Sequence, residues 1–524
     1  MAEKPRLREH WGTRLGVILA VTGSAVGLGN FLRFPGLAAK YEGGAFMIPY
    51  FVAFFLLGLP LAWAEWAMGR YGGARGFNSA AGIYRSIWKS RAAPYFGALA
   101  VLVPVVIYMY YVLIEGWCLA YAWYTLTGTL SLSGGSAAYD SFFADVVGAN
   151  DNGFIFGRGG DATIIFIAIC FLLNFVLIYR GLVKGIEWLA KWAMPALILL
   201  ALVVLVRVLT LDNIGQGLGF MWNPRTEKAG LLTSLSNGQM WLEAAGQIFF
   251  SLSVGFGIIV NYASYVRRDA DIALSALTSA SGNEFCEVAL GGLITVPAAF
   301  VFLGAAGAVG STFGLGFKTL PMVFDLMPLG RLVGTSFFFL LFLAALTSSV
   351  SMLQPAIALL EEGAGMGRRA SVTVLGFVVL CGAGFVMYFS KGLTALDTFD
   401  FWVGTFCIYL VATFQIILFG WGMGLDKGHE EINRGAEMRV PRAVMHVVRY
   451  VSPAFLLIVF AAFLWQQISE QSDANRFLAI VKDQVVLLSV VFIAMVGGFF
   501  ALIVAQANRR WQRDEQRGFE VERK

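Results

Sequence analysis

Charged residues are scarce in this chain of 524 residues. Asp, Glu, Lys and Arg make up only 14% of it, whereas 58% is hydrophobic and the mean hydropathy is +0.72. Soluble domains carry roughly 25% charged residues, so the composition places the chain outside the soluble class and predicts an integral membrane protein. Length alone would favour several domains, but in a membrane we expect one transmembrane domain over residues 1–524.

Cysteine and histidine are also few. The three histidines, His10, His429 and His446, lie near predicted helix ends. The five cysteines are Cys118, Cys170, Cys286, Cys381 and Cys407. All five fall in apolar segments without metal-ligand or redox spacing, so each is expected to be a small buried hydrophobe. No disulfide framework, transition-metal site or nucleophile–base motif of an enzyme is predicted.

Basic residues are few in alternate connections between apolar runs. The connection 126–161 contains Arg158 as its only base, beside four aspartates, whereas clusters of Lys and Arg occupy the opposite flanks. By the positive-inside rule both termini are predicted to be cytoplasmic, in a multi-pass protein of the cell membrane. The net charge of +5 reflects this asymmetry. A basic stripe with interleaved aromatics is lacking, so nucleic acid is not an expected partner.

Apolar runs long enough to cross ~30 Å of hydrocarbon occur twelve times. An even number of spans agrees with two termini on one side. The predicted spans are residues 13–38, 42–69, 92–125, 162–180, 188–211, 240–266, 274–304, 334–361, 371–390, 397–423, 445–467 and 482–505.

Two glycine-rich runs interrupt the first and sixth spans, at residues 23–30 (GSAVGLGN) and 251–257 (SLSVGFG). Unpaired backbone is tolerated in a bilayer only where protein buries it or it lines a cavity, and glycine permits the non-helical dihedrals of a break. Each break therefore predicts half of a binding site.

The two breaks are five spans apart, an odd offset that turns the second unit upside down relative to the first. We therefore expect an all-α fold with an inverted repeat of five plus five helices, broken at helices 1 and 6. The repeats would cover residues 12–211 and 239–424, with two additional helices at 445–507.

Several short motifs resemble the neurotransmitter:sodium symporter family, and within it the bacterial leucine-transporter branch. Matches recur from residue 8 to about residue 455. The motifs are EHW at 9–11, GLGNFLRFP at 27–35, GGAFMIPY at 43–50, EWAMGR at 65–70, TSS at 347–349 and EINRG at 431–435. The resemblance implies a sodium-coupled symporter of amino acids that works by alternating access.

The family implies two sodium ions, which prefer oxygen ligands. One would bind the carbonyl of Ala25, the side chains of Asn30, Ser251 and Asn283, and the substrate carboxylate. Ser251 departs from the threonine of the leucine-transporter branch but retains the hydroxyl.

The second sodium would take the carbonyls of Gly23, Val26 and Ala344 with the hydroxyls of Thr347 and Ser348. The alternative is that these hydroxyls only bond back to the preceding helical turn or join helices.

The resemblance also implies a pocket for the substrate, apolar with few polar anchors. Its predicted residues are Ala25, Leu28, Gly29, Ile107, Tyr111, Phe250, Ser253, Phe256 and Met352. Taken singly, such side chains are often plain packing. Position 27 is glycine where monoamine carriers of the family have aspartate, so amines without a carboxylate are not expected as substrates. The size of Ile107 and the flexibility of Met352 favour aliphatic or other hydrophobic L-amino acids.

Ionisable residues inside spans are costly and commonly functional. Arg33 and Asp400 match the family's extracellular gate, with Tyr111 and Phe256 as a lid below it. Arg8 and Glu362, supported by Tyr265, match its cytoplasmic gate; Glu362 stands where the leucine-transporter branch has aspartate.

Two more acids have predicted roles. Glu65 would anchor the broken backbone of span 6. Glu287 is expected beside Tyr50, Gln247 and Ser251, where animal members have serine and need chloride. Its carboxylate would replace the anion and make transport chloride-independent; the alternative is an incidental carboxylate between helices.

The sequence thus predicts sodium as the coupling ion, and an amino acid and the lipid bilayer as partners; it allows a homodimer. A non-transporting amino-acid sensor on the same scaffold is the alternative function. Long soluble signalling extensions would favour that sensor, and the tails here are short.

Overall fold

Helices account for the regular structure of the computed structural model, which describes residues 9–41, 43–153, 161–224, 230–469 and 475–522. Over these ranges no strand forms, and one isolated bridge pairs Gly43 with Pro224. Numbered across embedded π-helical turns, the helices are α1 (Arg14–Ala25), α2 (Gly29–Lys40), α3 (Gly44–Gly73), α4 (Ala80–Ile87), α5 (Ala93–Thr127), α6 (Ser136–Val147), α7 (Asp161–Tyr179), α8 (Leu182–Leu209), α9 (Ile214–Trp222), α10 (Gly230–Leu235), α11 (Gly238–Ser251), α12 (Ile258–Ala263), α13 (Ile272–Ala308), α14 (312–326), α15 (Gly330–Gly363), α16 (Arg368–Tyr388), α17 (Lys391–Met423), α18 (Leu425–Asn433), α19 (442–469), α20 (Arg476–Lys482) and α21 (Gln484–Glu522).

Nine helices in the described part of the chain are long and apolar enough to cross a membrane. The pair α1 and α2, bent by 50° at a short break, makes a tenth if it is one span. The predicted spans 162–180 and 240–266 fall on shorter helices, α7 and the pair α11 and α12. A multi-pass helical architecture is therefore described, while the count of twelve spans stays a prediction.

The first interruption separates α1 from α2. Helix α1 begins after Thr13, whose side chain accepts a hydrogen bond from the Gly16 N–H at 2.9 Å, as an N-cap residue does. It ends at Ala25, and Val26 is extended, with φ −71° and ψ 108°. The Val26 N–H still donates to the Thr22 carbonyl at 2.7 Å, but the helix continues no further, so the carbonyls after Thr22 lose the helical donors that would follow them.

The second interruption separates α11 from α12, which begins only at Ile258. Ser253, Gly255 and Gly257 between them have left-handed φ values of 54°, 80° and 69°. This region costs a non-glycine residue roughly 1–2 kcal/mol, so Ser253 carries strain that the glycines avoid. A Cβ on Gly257 would also lie 2.8 Å from the Ala100 carbonyl oxygen.

Helices α5 and α15 form the centre of the bundle. In their most apolar windows 94% and 89% of residues are buried, compared with 33% for α8 and for α21. The outer helices instead expose large apolar side chains, such as Trp192 and Leu502, as contact with lipid requires.

The cysteines only partly follow their predicted burial. Cys118, Cys170 and Cys286 are buried, but Cys381 on α16 is exposed and Cys407 on α17 is half-buried. The prediction that all five are buried was wrong, because an apolar residue on an outer membrane helix can face lipid instead of protein.

Arg70, near the end of α3, joins three parts of the predicted cytoplasmic side. Its buried guanidinium makes a salt bridge to Glu431 with an Nε–Oε1 distance of 2.9 Å. It also donates to the carbonyl oxygens of Ala270 at 2.6 Å, Arg434 at 3.0 Å and Glu431. Loss of this side chain would leave a carboxylate and several carbonyls without donors.

We expect Arg70→Met to lower the free energy of unfolding by about 3 kcal/mol, because breaking a buried ion pair from one side leaves its partner uncompensated. Thermal unfolding of the purified protein would measure this. The control is Arg75→Met, at an exposed position on the same side, for which we expect a change within about 0.5 kcal/mol. Equal effects of the two substitutions would contradict the structural role of Arg70.

Candidate functional site

A cluster of five buried polar side chains lies beside the first break. The Asn30 amide nitrogen donates to Asn283 Oδ1 at 2.8 Å and to Glu287 Oε2 at 3.1 Å. Asn283 Nδ2 donates to Ser251 Oγ at 2.7 Å, the Ser251 hydroxyl donates to Glu287, and Gln247 Nε2 donates to Glu287 Oε1 at 2.8 Å. The structure thus brings together three side chains predicted for the first sodium, with Glu287 in direct contact.

The broken backbone joins this cluster through Asn30. The Gly27 N–H donates to Asn30 Oδ1 at 2.8 Å, so the side chain satisfies a main-chain group that the break leaves free. Ala25 ends α1 on the other side of the same break.

A second set of oxygens surrounds Ser348 on α15. Its Oγ lies 3.4 Å from the Gly23 carbonyl oxygen, 3.1 Å from that of Ser24, 3.3 Å from that of Val26 and 3.0 Å from that of Ala344. The Thr347 hydroxyl lies 3.1 Å from the Ala344 carbonyl oxygen. All five residues predicted to bind the second sodium therefore lie close together, around the hydroxyls of Thr347 and Ser348.

This second set has more acceptors than donors. A serine hydroxyl carries one proton, so Ser348 can satisfy only one of the four carbonyls within 3.4 Å. Thr347 donates to its own helix, to Leu343 or Ala344. Ser253 Oγ supplies one more donor, to the Ser24 carbonyl at 3.0 Å, so the acceptor oxygens still outnumber the side-chain donors that reach them. Such an oxygen-rich environment is what a hard cation prefers, so the residues fit a sodium ion.

Several of the predicted substrate residues lie beside the two breaks. Tyr111 Oη accepts from the Leu28 N–H at 3.4 Å, and Ser253 Oγ donates to the Ser24 carbonyl at 3.0 Å. The rings of Phe250 and Phe256 lie with centroids 6.0 Å apart.

The other predicted wall residues share helix faces with these groups. Ile107 lies one turn before Tyr111 on α5, and Met352 one turn after Ser348 on α15, and both are buried. A Cβ on Gly29 would lie 3.3 Å from the Phe250 ring, so glycine permits the close approach of that ring to the broken segment.

Within the described residues, the predicted extracellular gate pair is not closed as a salt bridge. The Arg33 guanidinium carbon lies 5.2 Å from the ring centroid of Phe250. Asp400 Oδ1 instead accepts a hydrogen bond from Tyr110 Oη at 2.7 Å. Tyr110 was not predicted from the sequence, because a tyrosine in an apolar helix carries no signal of its own.

The contacts at the predicted cytoplasmic gate differ further from the expected ion pair of Arg8 and Glu362. Arg8 lies outside the described residues. The carboxylate of Glu362 accepts from the N–H groups of Asn78 and Ser79 at 2.8 and 2.9 Å and from Ser79 Oγ at 3.0 Å. Glu362 therefore caps the start of α4, where a negative charge stabilises a helix, and its assignment as a gate carboxylate is not supported by these contacts.

Arg368 is the base that the structure places near Tyr265. Its Nη2 donates to Gln354 Oε1 at 3.1 Å, and Gln354 Nε2 donates to Tyr265 Oη at 3.1 Å. Arg368 Nη1 also lies 3.7 Å from Glu9 Oε2. The segment before α1 is thus linked to α15, and to Tyr265 just after α12, through Arg368 and Gln354, which were not predicted from the sequence.

Glu65, on α3, binds the backbone of the second break. Its Oε1 accepts the Gly255 N–H at 2.7 Å, and the side chain is fully buried. This is the contact that the sequence predicted for an anchor of the broken backbone.

Glu284 is a further acid that was not predicted to be part of the site. Its Oε2 accepts from Tyr50 Oη at 2.8 Å, one helical turn from Glu287. The sequence did contain a signal for Glu284, because an ionisable residue within an apolar span is commonly functional.

Comparisons with known proteins agree with this geometry. The sodium:neurotransmitter symporter family matches residues 8–151 and 156–507. The sodium-dependent transporter MJ1319 of Methanocaldococcus jannaschii is 30% identical over 470 residues, covering 86% of this chain and 89% of the relative. Human sodium- and chloride-dependent GABA transporter 2 is 26% identical over 496 residues, covering 86% and 79%.

A solved structure matches as well. The crystal structure of MhsT in complex with L-phenylalanine has a TM-score of 0.75 and 28% sequence identity, covering 87% of this chain and 99% of that chain. Together these findings define a sodium-dependent membrane transporter and not an enzyme. The chain belongs to the sodium:neurotransmitter symporter family.

We expect Glu65→Leu to weaken substrate binding about tenfold or more, because the buried Gly255 N–H loses its acceptor and the break can relax. Glu65→Gln keeps an acceptor oxygen and should retain most of the affinity. Equilibrium binding of a radiolabelled amino acid to both purified variants would measure the difference. If both variants bound equally weakly, the charge of Glu65 and not its hydrogen bond would be what matters.

Proposed function

We propose that this protein is a sodium-coupled symporter of hydrophobic L-amino acids that works by alternating access and requires no chloride. The observation that carries the proposal is the surplus of oxygen acceptors around Ser348, beside the cluster of Asn30, Ser251 and Asn283. These two sets would hold two sodium ions, with the substrate carboxylate completing the first.

Main-chain groups at the breaks would bind the substrate's charged ends. The N–H groups near Leu28 and Gly29 and the Tyr111 hydroxyl suit a carboxylate, and carbonyls near Ala25, Phe250 and Ser253 suit an ammonium. Ile107, Phe256 and Met352 would contact the side chain. The L-phenylalanine in the MhsT complex supports an amino acid with a hydrophobic side chain as substrate.

The architecture that we propose has twelve spans, with inverted repeats at 12–211 and 239–424, added helices at 445–507 and both termini cytoplasmic. In alternating access, Arg33 and Asp400 would close the site from the extracellular side. Two sodium ions, each falling through ~100 mV and a tenfold gradient, would supply roughly 7 kcal/mol, enough for a steep accumulation of a zwitterion.

Uptake of a panel of radiolabelled amino acids into proteoliposomes, with and without a sodium gradient, tests the proposal directly. We expect gradient-driven accumulation of hydrophobic amino acids and none of amines without a carboxylate. Binding without any uptake would favour the sensor, and sodium-independent uptake would overturn the coupling.

Replacing Thr347 with valine removes one hydroxyl ligand while keeping the side-chain shape. We expect the sodium concentration for half-maximal substrate binding to rise about tenfold or more, because linkage between the two ligands is reciprocal. Substrate binding at a series of sodium concentrations would measure the shift.

The matched control is Thr373→Val, because the Thr373 hydroxyl makes the same kind of bond to the preceding turn, to the Arg369 carbonyl at 2.9 Å, on an exposed helix face. Its sodium dependence should not change. An unchanged sodium dependence in Thr347→Val as well would leave Thr347 as a purely structural threonine.

Chloride independence is proposed because Glu287 already supplies a negative charge in contact with Asn30 and Ser251. We expect the wild-type protein to transport equally in chloride and in gluconate, and Glu287→Ser to need chloride. Without the carboxylate, a nearby sodium loses a compensating charge in a low-dielectric interior, which costs several kcal/mol unless an anion replaces it.

The control is Glu284→Ser, which removes a carboxylate one turn away whose Oε2 accepts from Tyr50. That variant should not acquire chloride dependence. A wild-type protein that stalls in gluconate, or chloride dependence in both variants, would contradict the assignment to Glu287.

A further inference from the structure

Another buried acid, Glu115 on α5, takes no part in the proposed sodium or substrate sites. It lies at the contact of α5 with α7 and α15 and is fully buried. Asn174 Nδ2 on α7 donates to its Oε2 at 2.9 Å. The second carboxyl oxygen, Oε1, has no hydrogen-bond partner among the described residues.

Other polar atoms around Glu115 are also without partners. In the described part of the chain, Asn174 Oδ1, Ser349 Oγ and Tyr108 Oη are buried and make no hydrogen bond. Asn174 is fully buried like Glu115. The same acid–amide pair thus makes one hydrogen bond and leaves one acceptor oxygen free on each side.

The surroundings of this carboxyl, as far as the structure describes them, contain no basic group that balances it. The titratable side chains around it are Tyr108, Tyr111 and Cys118 on its own helix and Cys170 on α7, and Ser349 is its polar neighbour on α15. Over the described residues, Glu115 forms no salt bridge with Lys, Arg or His. An ionised carboxylate without a counter-charge is expensive in a dry interior.

One proton on Oε1 resolves both problems at once. It removes the charge, and it lets the acid donate to Asn174 Oδ1 while the amide continues to donate to Oε2. Two acceptor oxygens without partners are then satisfied by a single hydrogen bond, and the acid and the amide form a two-bond ring that joins α5 to α7.

We propose that Glu115 and Asn174 form a buried proton-binding site, in which Glu115 is held as a neutral carboxylic acid. The proton lies on Oε1 and is donated to Asn174 Oδ1. This assignment uses none of the proposed sodium ligands and does not rest on the proposed transport function.

Infrared difference spectroscopy of the purified, reconstituted protein tests the proposal at neutral pH. A neutral carboxylic acid has a carbonyl stretching band that a carboxylate lacks. We expect the wild-type protein to show such a band, shifted in heavy water, and Glu115→Gln to lose it. Loss of carboxylate absorption instead, with the acid band unchanged, would show that Glu115 is ionised and would overturn the proposal.

Two further variants make the assignment specific. Asn174→Leu keeps the acid but removes its partner, so the Glu115 band should remain and move to higher frequency. Glu187→Gln is the control, because that buried carboxylate is already paired with Lys191 at 2.7 Å and accepts from the Gly12 N–H and the Thr13 hydroxyl. An acid band that is insensitive to Asn174→Leu would contradict the ring.

A bound cation is the competing occupant of these oxygens. Equilibrium binding of radioactive sodium separates the two, because a proton site predicts the same number of bound sodium ions in the wild-type protein and in Glu115→Gln. A loss of one bound sodium in that variant, or disappearance of the acid band on adding sodium, would overturn the proton assignment.

Discussion

Backbone groups left unpaired at the two helix breaks constrain the rest of this structure. In an apolar interior each free N–H or C=O costs free energy unless a partner reaches it. The partners come from helices that are intact: Glu65 on α3 accepts from Gly255, and Ser348 on α15 donates to the end of α1. The long, deeply buried α5 and α15 provide the rigid surroundings that hold these side chains in place.

Three carboxylates, of which Glu65 and Glu287 are fully buried and Glu362 is partly buried, show how differently the same group can be accommodated. Glu287 has three side-chain donors, Glu65 has a main-chain donor, and Glu362 caps α4. Because the donors around each acid differ in number and kind, the three groups suit different roles. Glu287 can counter a cation, Glu65 holds a break in place, and Glu362 stabilises the start of a helix.

The residues predicted to lie at the two ends of the bundle make different kinds of contact. Toward the predicted extracellular side, Arg33 faces an aromatic ring while Asp400 is bound by Tyr110. On the other side, Arg368 connects Glu9, Gln354 and, through Gln354, Tyr265. An ion pair between partly exposed side chains, such as Arg368 and Glu9, contributes little to stability by itself.

The sequence by itself determined the membrane class, the positions of the breaks and most of the polar residues beside them, because apolar length and glycine content are local properties of the chain. It also placed Glu65 and Glu287 near their partners through motifs that resemble the family. Only the tertiary structure decided that Glu362 caps α4, that Tyr110 binds Asp400 and that Cys381 faces outward. Those outcomes depend on which helix faces meet and on the direction of each side chain, and residues far apart in the sequence set both.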